Sequence, residues 1–170
     1  MQLFDKIDVK SLENSVKAIG DDWMLITVGD PQNNKVNAMT ASWGTLGVLW
    51  NKPVCICFIR PERYTYKLLQ ENKELSIAFM EKNMRSALTL CGRQSGADSD
   101  KLSACGLTTV ELDGTPVIEQ ARTALVCRVI YEGDLEESGF LDKSLLSNYA
   151  NGGYHRMFVC EILSAYNKKQ

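Results

Sequence analysis

The 170-residue sequence has one histidine, no Cys-x-x-Cys pair, no basic excess and no long apolar run. Each absence removes a class of function. Nineteen Lys and Arg stand against twenty-one Asp and Glu, a formal net charge of -2. A dedicated nucleic-acid binder meets phosphates with a surplus of cations, so no nucleic-acid partner is expected. The apolar stretches last a few residues, far short of the ~20 that a bilayer-spanning helix needs, so no membrane span is expected either. The first residues, Met1-Gln2-Leu3-Phe4-Asp5-Lys6-Ile7-Asp8, carry acids where a secretory leader needs an apolar stretch. A cytoplasmic location follows as the expectation. The six cysteines are then read as reduced thiols, most of them small buried apolar side chains. Cys55 and Cys57, two residues apart, would share one face of a strand. One histidine is too few for the usual Cys/His zinc site, so no metal is expected.

Several catalytic signatures are missing too. There is no Gly-x-Gly-x-x-Gly dinucleotide loop, and no Lys-Ser/Thr follows the glycines of Gly92-Arg93-Gln94-Ser95-Gly96. No Gly-x-Ser-x-Gly elbow occurs, which with a lone His leaves no support for hydrolysis.

What remains is an ordinary folded composition, 45% hydrophobic and 24% charged. The length suits one domain over residues 1–170, and no linker or repeat interrupts it. Trp23 to Val28 reads as a strand closed by Gly29-Asp30-Pro31, and Val36 to Ser42 as its return. Pro53 to Ile59 and Leu75 to Met80 read as further strands, with a helix from Tyr66 to Glu71 capped by Thr65 between them. Met84 to Leu90 reads as a short helix ended by Gly92. Asp98-Ser99-Asp100 caps a helix through Cys105, with Gly106 beyond its end. Leu107 to Leu112, Asp113-Gly114 and Pro116 to Glu119 make a hairpin. Two long strands follow, Ala121 to Tyr131 and His155 to Tyr166, separated by a helix-and-loop segment around Leu141 to Tyr149. Short consecutive strands with few helices predict a mainly β, closed antiparallel barrel rather than a doubly wound parallel sheet.

Four segments carry chemistry. Asn37 to Gly44 runs from a strand into small and polar residues, which either turns a strand end or lets a flat ligand approach the backbone. Arg60-Pro61-Glu62-Arg63-Tyr64-Thr65-Tyr66 sets two guanidinium groups and a hydroxyl at a helix start. That arrangement suits a phosphate, or equally an ion pair with a surface carboxylate. Cys91 to Lys101 offers a hydroxyl, flexible backbone and a cation near a second helix start, or an ordinary solvated loop. Tyr154-His155-Arg156-Met157 opens the last strand, with His155 at a pocket mouth or merely at a strand end.

These segments, in this order, resemble the flavin reductase-like family of FMN-binding split barrels, in its flavoredoxin branch. The residues that carry the likeness are Met39 to Gly44, Leu49-Trp50-Asn51-Lys52-Pro53-Val54, Ile59 to Thr65, Ser95-Gly96 with Asp100-Lys101, and Tyr154 to Met157. The resemblance implies a six-stranded Greek-key split barrel that pairs into a homodimer with FMN near the interface. It implies that Thr40, Ala41, Ser42 and Trp43 line the isoalloxazine edge, and that Arg63, Tyr64 and Thr65 hold the phosphate. Ser95, Gly96 and Lys101 would close over the ribityl-phosphate side. His155 would position a nicotinamide, with NADH or NADPH as co-substrate and a small molecule or protein as electron acceptor. An electron carrier without its own nicotinamide site is the alternative. Two departures stand out: Thr45 follows Gly44 where the family often has a second glycine, and Ala97 follows Ser95-Gly96 where it often has arginine. The missing arginine removes one phosphate or nicotinamide contact.

Overall fold

The computed structural model describes residues 3–12, 15–33 and 35–169. Along the chain these form β1 (Phe4–Ile7), α1 (Ser15–Gly20), β2 (Met24–Asp30), β3 (Lys35–Ala41), β4 (Gly44–Leu49), β5 (Lys52–Ile59) and α2 (Tyr64–Glu71). There follow β6 (Glu74–Phe79), α3 (Arg85–Arg93), α4 (Lys101–Ala104), β7 (Thr109–Leu112), β8 (Thr115–Ile118), β9 (Thr123–Asp134) and β10 (Arg156–Lys168).

The large sheet runs β3-β2-β6-β9-β10-β5-β4, with every neighbouring pair antiparallel. Its two end strands, β3 and β4, are consecutive in the chain and separated only by Ser42 and Trp43. Laid flat, seven strands at ~4.8 Å spacing would put those ends ~29 Å apart. Three peptide steps reach at most ~11 Å. The sheet must therefore curl until its ends meet, which makes the barrel and leaves a seam between β3 and β4. The barrel is also split lengthwise along β10. One edge of this 13-residue strand pairs with β5 over Arg156–Glu161 and then with β1 over Ala165–Lys168. The six long strands expected of the split barrel are β2, β3, β5, β6, β9 and β10. Strands β1 and β4 extend them, and no strand was expected at either place.

Side chains alternate as the pleat requires. Met24, Ile26 and Val28 of β2 point into the barrel, as do Leu75, Ile77 and Phe79 of β6, Cys55, Cys57 and Ile59 of β5, and Phe158, Cys160 and Ile162 of β10. The intervening Leu25, Ala38, Ala78, Ala124 and Val126 face outward under a second layer built from Ala87, Leu88 and Cys91 of α3 and Val117 and Ile118 of β8. Cys55, Cys57, Cys127 and Cys160 are all fully buried in the barrel interior, packing as small apolar side chains. The β7–β8 hairpin turns on Asp113 and Gly114, both at positive φ, as a tight two-residue turn demands. Asp113 fastens that turn to the barrel by accepting from Ser164 Oγ at 2.5 Å and Tyr166 Oη at 2.6 Å.

Two helix ends differ from expectation. Arg63, not Thr65, is the N-cap of α2, and Thr65 lies inside the first turn, fully buried. Its hydroxyl accepts from the Asn37 side chain instead of from the helix backbone. Gly92 does not end α3, which continues to Arg93 and closes when the Gln94 N–H donates to Leu90 O. The α4 cap is as expected: Asp100 accepts from Ser103 N, and Gly106 takes the left-handed conformation. The segment before β10 forms a 3-10 helix from Lys143 to Tyr149.

Candidate functional site

The seam opens into a cleft of about 260 Å³. Met39, Thr40 and Ala41 at the end of β3, with Ser42 and Trp43 of the crossing, form one wall. Phe58 of β5, Arg60 just beyond it, Arg63 and His155 close the other sides. The side chain of Thr40 is occupied elsewhere, donating from Oγ1 to Leu88 O at 2.5 Å. That bond ties β3 to α3 and leaves the Thr40 backbone, rather than its hydroxyl, to the cleft.

An aromatic cluster frames the open end. Trp43 is 47% exposed, and its ring lies 5.1 Å from that of His155 at a 55° tilt. The Tyr149 hydroxyl is 2.9 Å from His155 Nδ1, while Tyr149 itself stacks on Tyr154 at 4.7 Å. Arg60 lies over the Tyr149 ring and donates to Asn148 O, so the segment before β10 is held against β5. Burial pushes the His155 pKa down and the Arg60 cation adds to the drop, with Glu62 opposing. Burial and the nearby cation thus both favour the neutral imidazole. With the Tyr149 hydroxyl as donor to Nδ1, Nε2–H is the ring's remaining donor.

The inner end has a different character. Arg63, half-buried, donates from Nη1 to Gly92 O at 3.0 Å. Lys101 is 2% exposed and donates from Nζ to Gln94 O at 3.0 Å and Cys91 O at 3.3 Å. Both cations thus rest on carbonyls at the C-terminal end of α3, where the helix dipole is negative. Among the described residues neither forms an ion pair with a carboxylate. Burial lowers the pKa of each, and for Lys101 the nearby Arg63 cation lowers it further against the opposing Cys91.

Between the two cations lies a fixed polar floor. Asn37 Nδ2 donates to Thr65 Oγ1 at 2.7 Å, and both residues are buried. Gly96 presses its backbone against the Asn37 amide so closely that a Cβ there would overlap Oδ1 and come within 3.4 Å of Lys101 Cε. Only glycine fits that contact. Two cations without counter-ions among the described residues, a hydroxyl with a proton to give and a loop backbone at close approach make a cradle that could hold an anion. Its fit to a phosphate is direct, because a phosphate takes several donors and carries the charge the cations lack.

Residues 17–170 match the profile of the Flavin reductase like domain. The chain belongs to that family. It is 28% identical over 131 residues to an uncharacterized protein of Archaeoglobus fulgidus, covering 76% of this chain and 64% of that relative, so it spans a little under two thirds of the relative's length. Among solved structures it is similar to a flavoredoxin from Methanosarcina acetivorans, at 24% identity and TM-score 0.67 over 88% of this chain and 69% of that one. It is also similar to an NADH:FAD oxidoreductase from Streptomyces globisporus, at 19% identity and TM-score 0.63 over 86% and 75%.

The fold of this flavin reductase-like domain brings most of the expected site residues together. Thr40, Ala41, Ser42, Trp43, Arg63 and His155 line the cleft, and Thr65, Gly96 and Lys101 form the cradle beside it. Two stand apart. Tyr64 packs against the barrel core, and Ser95 is exposed, its Oγ accepting from Ala97 N within its own loop. Asn37, Phe58 and Tyr149 were not among the expected residues. Phe58 was legible from alternation, since Cys57 and Ile59 on either side point inward. Asn37 was visible as a polar residue within an apolar strand, but its partner Thr65 lies 28 positions away. Nothing in the local sequence links Tyr149 to His155. Among the described residues no group of His, Cys, Asp or Glu is arranged to hold a metal, and no helix is long and apolar enough to cross a membrane.

Proposed function

We propose that the chain binds FMN along the seam, its phosphate between Arg63, Thr65, Gly96 and Lys101 and its ring against residues 40–43, and acts as an NAD(P)H-dependent flavin oxidoreductase. The observation that carries this reading is a buried lysine beside a half-buried arginine, neither with a carboxylate partner among the described residues. Holding one such charge away from water costs several kcal/mol unless it is paired, so two together are best explained by an anionic ligand. When bound, FMN supplies the redox chemistry, accepting hydride at N5 and giving electrons onward to a small-molecule or protein acceptor.

The protein's own residues have narrower tasks. The backbone of residues 40–43 offers N–H donors to the ring edge. Trp43 and Phe58 exclude water, and the cations and Thr65 hold the phosphate. His155, neutral and anchored by Tyr149, positions a reduced nicotinamide at the mouth. No protein nucleophile is required. The likeness to the Streptomyces NADH:FAD oxidoreductase supports the hydride-transfer reading. The likeness to a flavoredoxin and the alanine at position 97 favour the second reading, a carrier reduced by another protein.

A homodimer in the cytoplasm is the assembly we propose. Trp43 and Trp50 at the two ends of β4 and Tyr131 of β9 leave large aromatic surface exposed, with Trp50 and Tyr131 edge to face at 6.1 Å. Anaerobic titration of the FMN-loaded protein with NADH and then NADPH separates the two activities. Bleaching of flavin absorbance within a catalytic time frame supports the oxidoreductase. Reduction by dithionite but by neither nicotinamide overturns it in favour of the carrier.

A further inference from the structure

Four of the six thiols are barrel core, but Cys91 and Cys105 form a pair of another kind. Cys91 is the seventh residue of α3 and Cys105 the C-cap of α4, and their sulfurs lie 3.9 Å apart. That is van der Waals contact, within reach of the ~2.05 Å of an S–S bond if the two thiols turn toward each other. The intervening chain, residues 92–104, contains the parts of the anion cradle that come from this region. Gly92 supplies the carbonyl that seats Arg63, Gly96 abuts Asn37, and Lys101 donates back to Cys91 O and Gln94 O. Apart from these contacts the loop is largely exposed from Arg93 to Asp100.

We propose that Cys91 and Cys105 form a reversible disulfide that ties off the cradle loop and slows release of the phosphate-bearing flavin. The regulatory half rests on the phosphate reading above, whereas the disulfide itself does not. Burial pushes the Cys91 thiol up to about 12, with Cys105 adding to the rise, so the half-exposed Cys105 reacts first. Hydrogen peroxide is the oxidant. The Cys105 sulfur attacks the O–O bond, an S–O bond forms, and the thiol proton leaves with the departing oxygen as water, giving a sulfenic acid. The Cys91 sulfur then attacks the oxidised sulfur. The S–S bond forms as the S–O bond breaks, and a second water carries away the Cys91 proton. Two thiols and one peroxide give one disulfide and two waters. A dithiol reductant reverses the bond by exchange. The cross-link shortens the tether on which the loop must swing outward to let a phosphate go, and so lowers the population of the open state.

The test treats FMN-loaded protein with stoichiometric hydrogen peroxide, with and without later dithiothreitol, beside a Cys105→Ser variant. After denaturation and trypsin, the expected product is a dithiol-sensitive link between the peptide Ser86–Arg93 and the peptide Leu102–Arg122. In native protein, cleavage after the exposed Arg93 should also slow. FMN release should slow by at least ~tenfold in oxidised wild type and stay unchanged in Cys105→Ser, with riboflavin release unaffected in both. Absence of the linked peptide overturns the proposal, whether or not the protein binds FMN. A linked peptide with unchanged FMN release overturns the regulatory half. If Arg63→Ala weakens FMN and riboflavin equally, the phosphate reading fails while the linked peptide and protected Arg93 still establish the disulfide.

Discussion

Replacing Arg63 by alanine should cost FMN far more than riboflavin, because the two flavins differ only in the phosphate. Arg63 sits at the N-cap of α2, half-buried, with Nη1 bonded to Gly92 O and, among the described residues, no carboxylate paired to it. One or two charge-assisted hydrogen bonds to a phosphate in such a place contribute about 2–4 kcal/mol. At 1.4 kcal/mol per decade this is a loss of roughly 30-fold to several hundredfold in FMN affinity. Riboflavin lacks the anion and should lose no more than about threefold, the residue of lost packing. The fold itself has little to lose. The neutral-acceptor bond to Gly92 O is worth about 1 kcal/mol, and removal of a partly desolvated charge offsets some of that. Fluorescence titration of both flavins, with thermal melting of the flavin-free proteins, measures all three quantities. Equal losses for FMN and riboflavin would refute the phosphate assignment. A large drop in melting temperature with no selectivity would make Arg63 a structural residue.

Lys101→Met should split stability from binding: the flavin-free protein melts at the same temperature or higher, because a 2%-exposed ammonium has been replaced by an apolar chain, while FMN affinity falls about tenfold or more. A clear destabilisation would mean that the lysine serves the fold. Gly96→Ala forces a Cβ into the Asn37 amide and should cost about 1–3 kcal/mol while weakening FMN, which denaturant melts and titration can follow together. The depressed pKa of His155 makes the unfolded chain the better proton acceptor between the folded value and about 6.5, so stability should fall as pH drops through that window and be indifferent to the group above it. Melting curves of wild type and His155→Gln from pH 5 to 8 should diverge only on the acid side. Asp113→Ala removes the acceptor of both Ser164 and Tyr166 and should cost about 2 kcal/mol, seen as a fall of roughly 4–8 °C in melting temperature.

The expectations that succeeded rest on local chemistry. Short apolar runs of β-forming residues bounded by turn signals located the strands of the barrel, and Asp113-Gly114 announced the only kind of turn that two residues at positive φ can make. Asp100 and Gly106 marked both ends of α4 for the same reason, since a carboxylate cap and a left-handed glycine act within one helical turn. Strand β1 was not legible, because Phe4–Ile7 has two charged residues and owes its strand state to the edge of β10. Strand β4 was hidden by its glycines, and it is held by its ladder to β5. Thr65 was misplaced as a cap for a related reason. A hydroxyl near a helix start normally turns to the helix N–H groups, but here Asn37 of β3 reaches across and takes it.

The same division explains which part of the site could be foreseen. The cleft depends on the two-residue link between β3 and β4, which are neighbours in sequence and opposite ends of the sheet. Barrel closure therefore has to place residues 40–43 at the seam, and any ligand lodged there meets them. The cradle needs more: the start of α2 delivers Arg63 and Thr65, the end of α3 delivers carbonyl acceptors, and the loop into α4 delivers Gly96 and Lys101. Those three pieces span 39 positions from Arg63 to Lys101. No segment alone encodes their convergence. The charge arithmetic does leave a trace, since the buried lysine of this four-residue helix meets only neutral carbonyls at the end of α3 and, among the described residues, no carboxylate. Its desolvation is a standing cost in the flavin-free protein that an anion would relieve, which is why the stability and affinity effects of Lys101→Met must point in opposite directions if the cradle is what its geometry indicates.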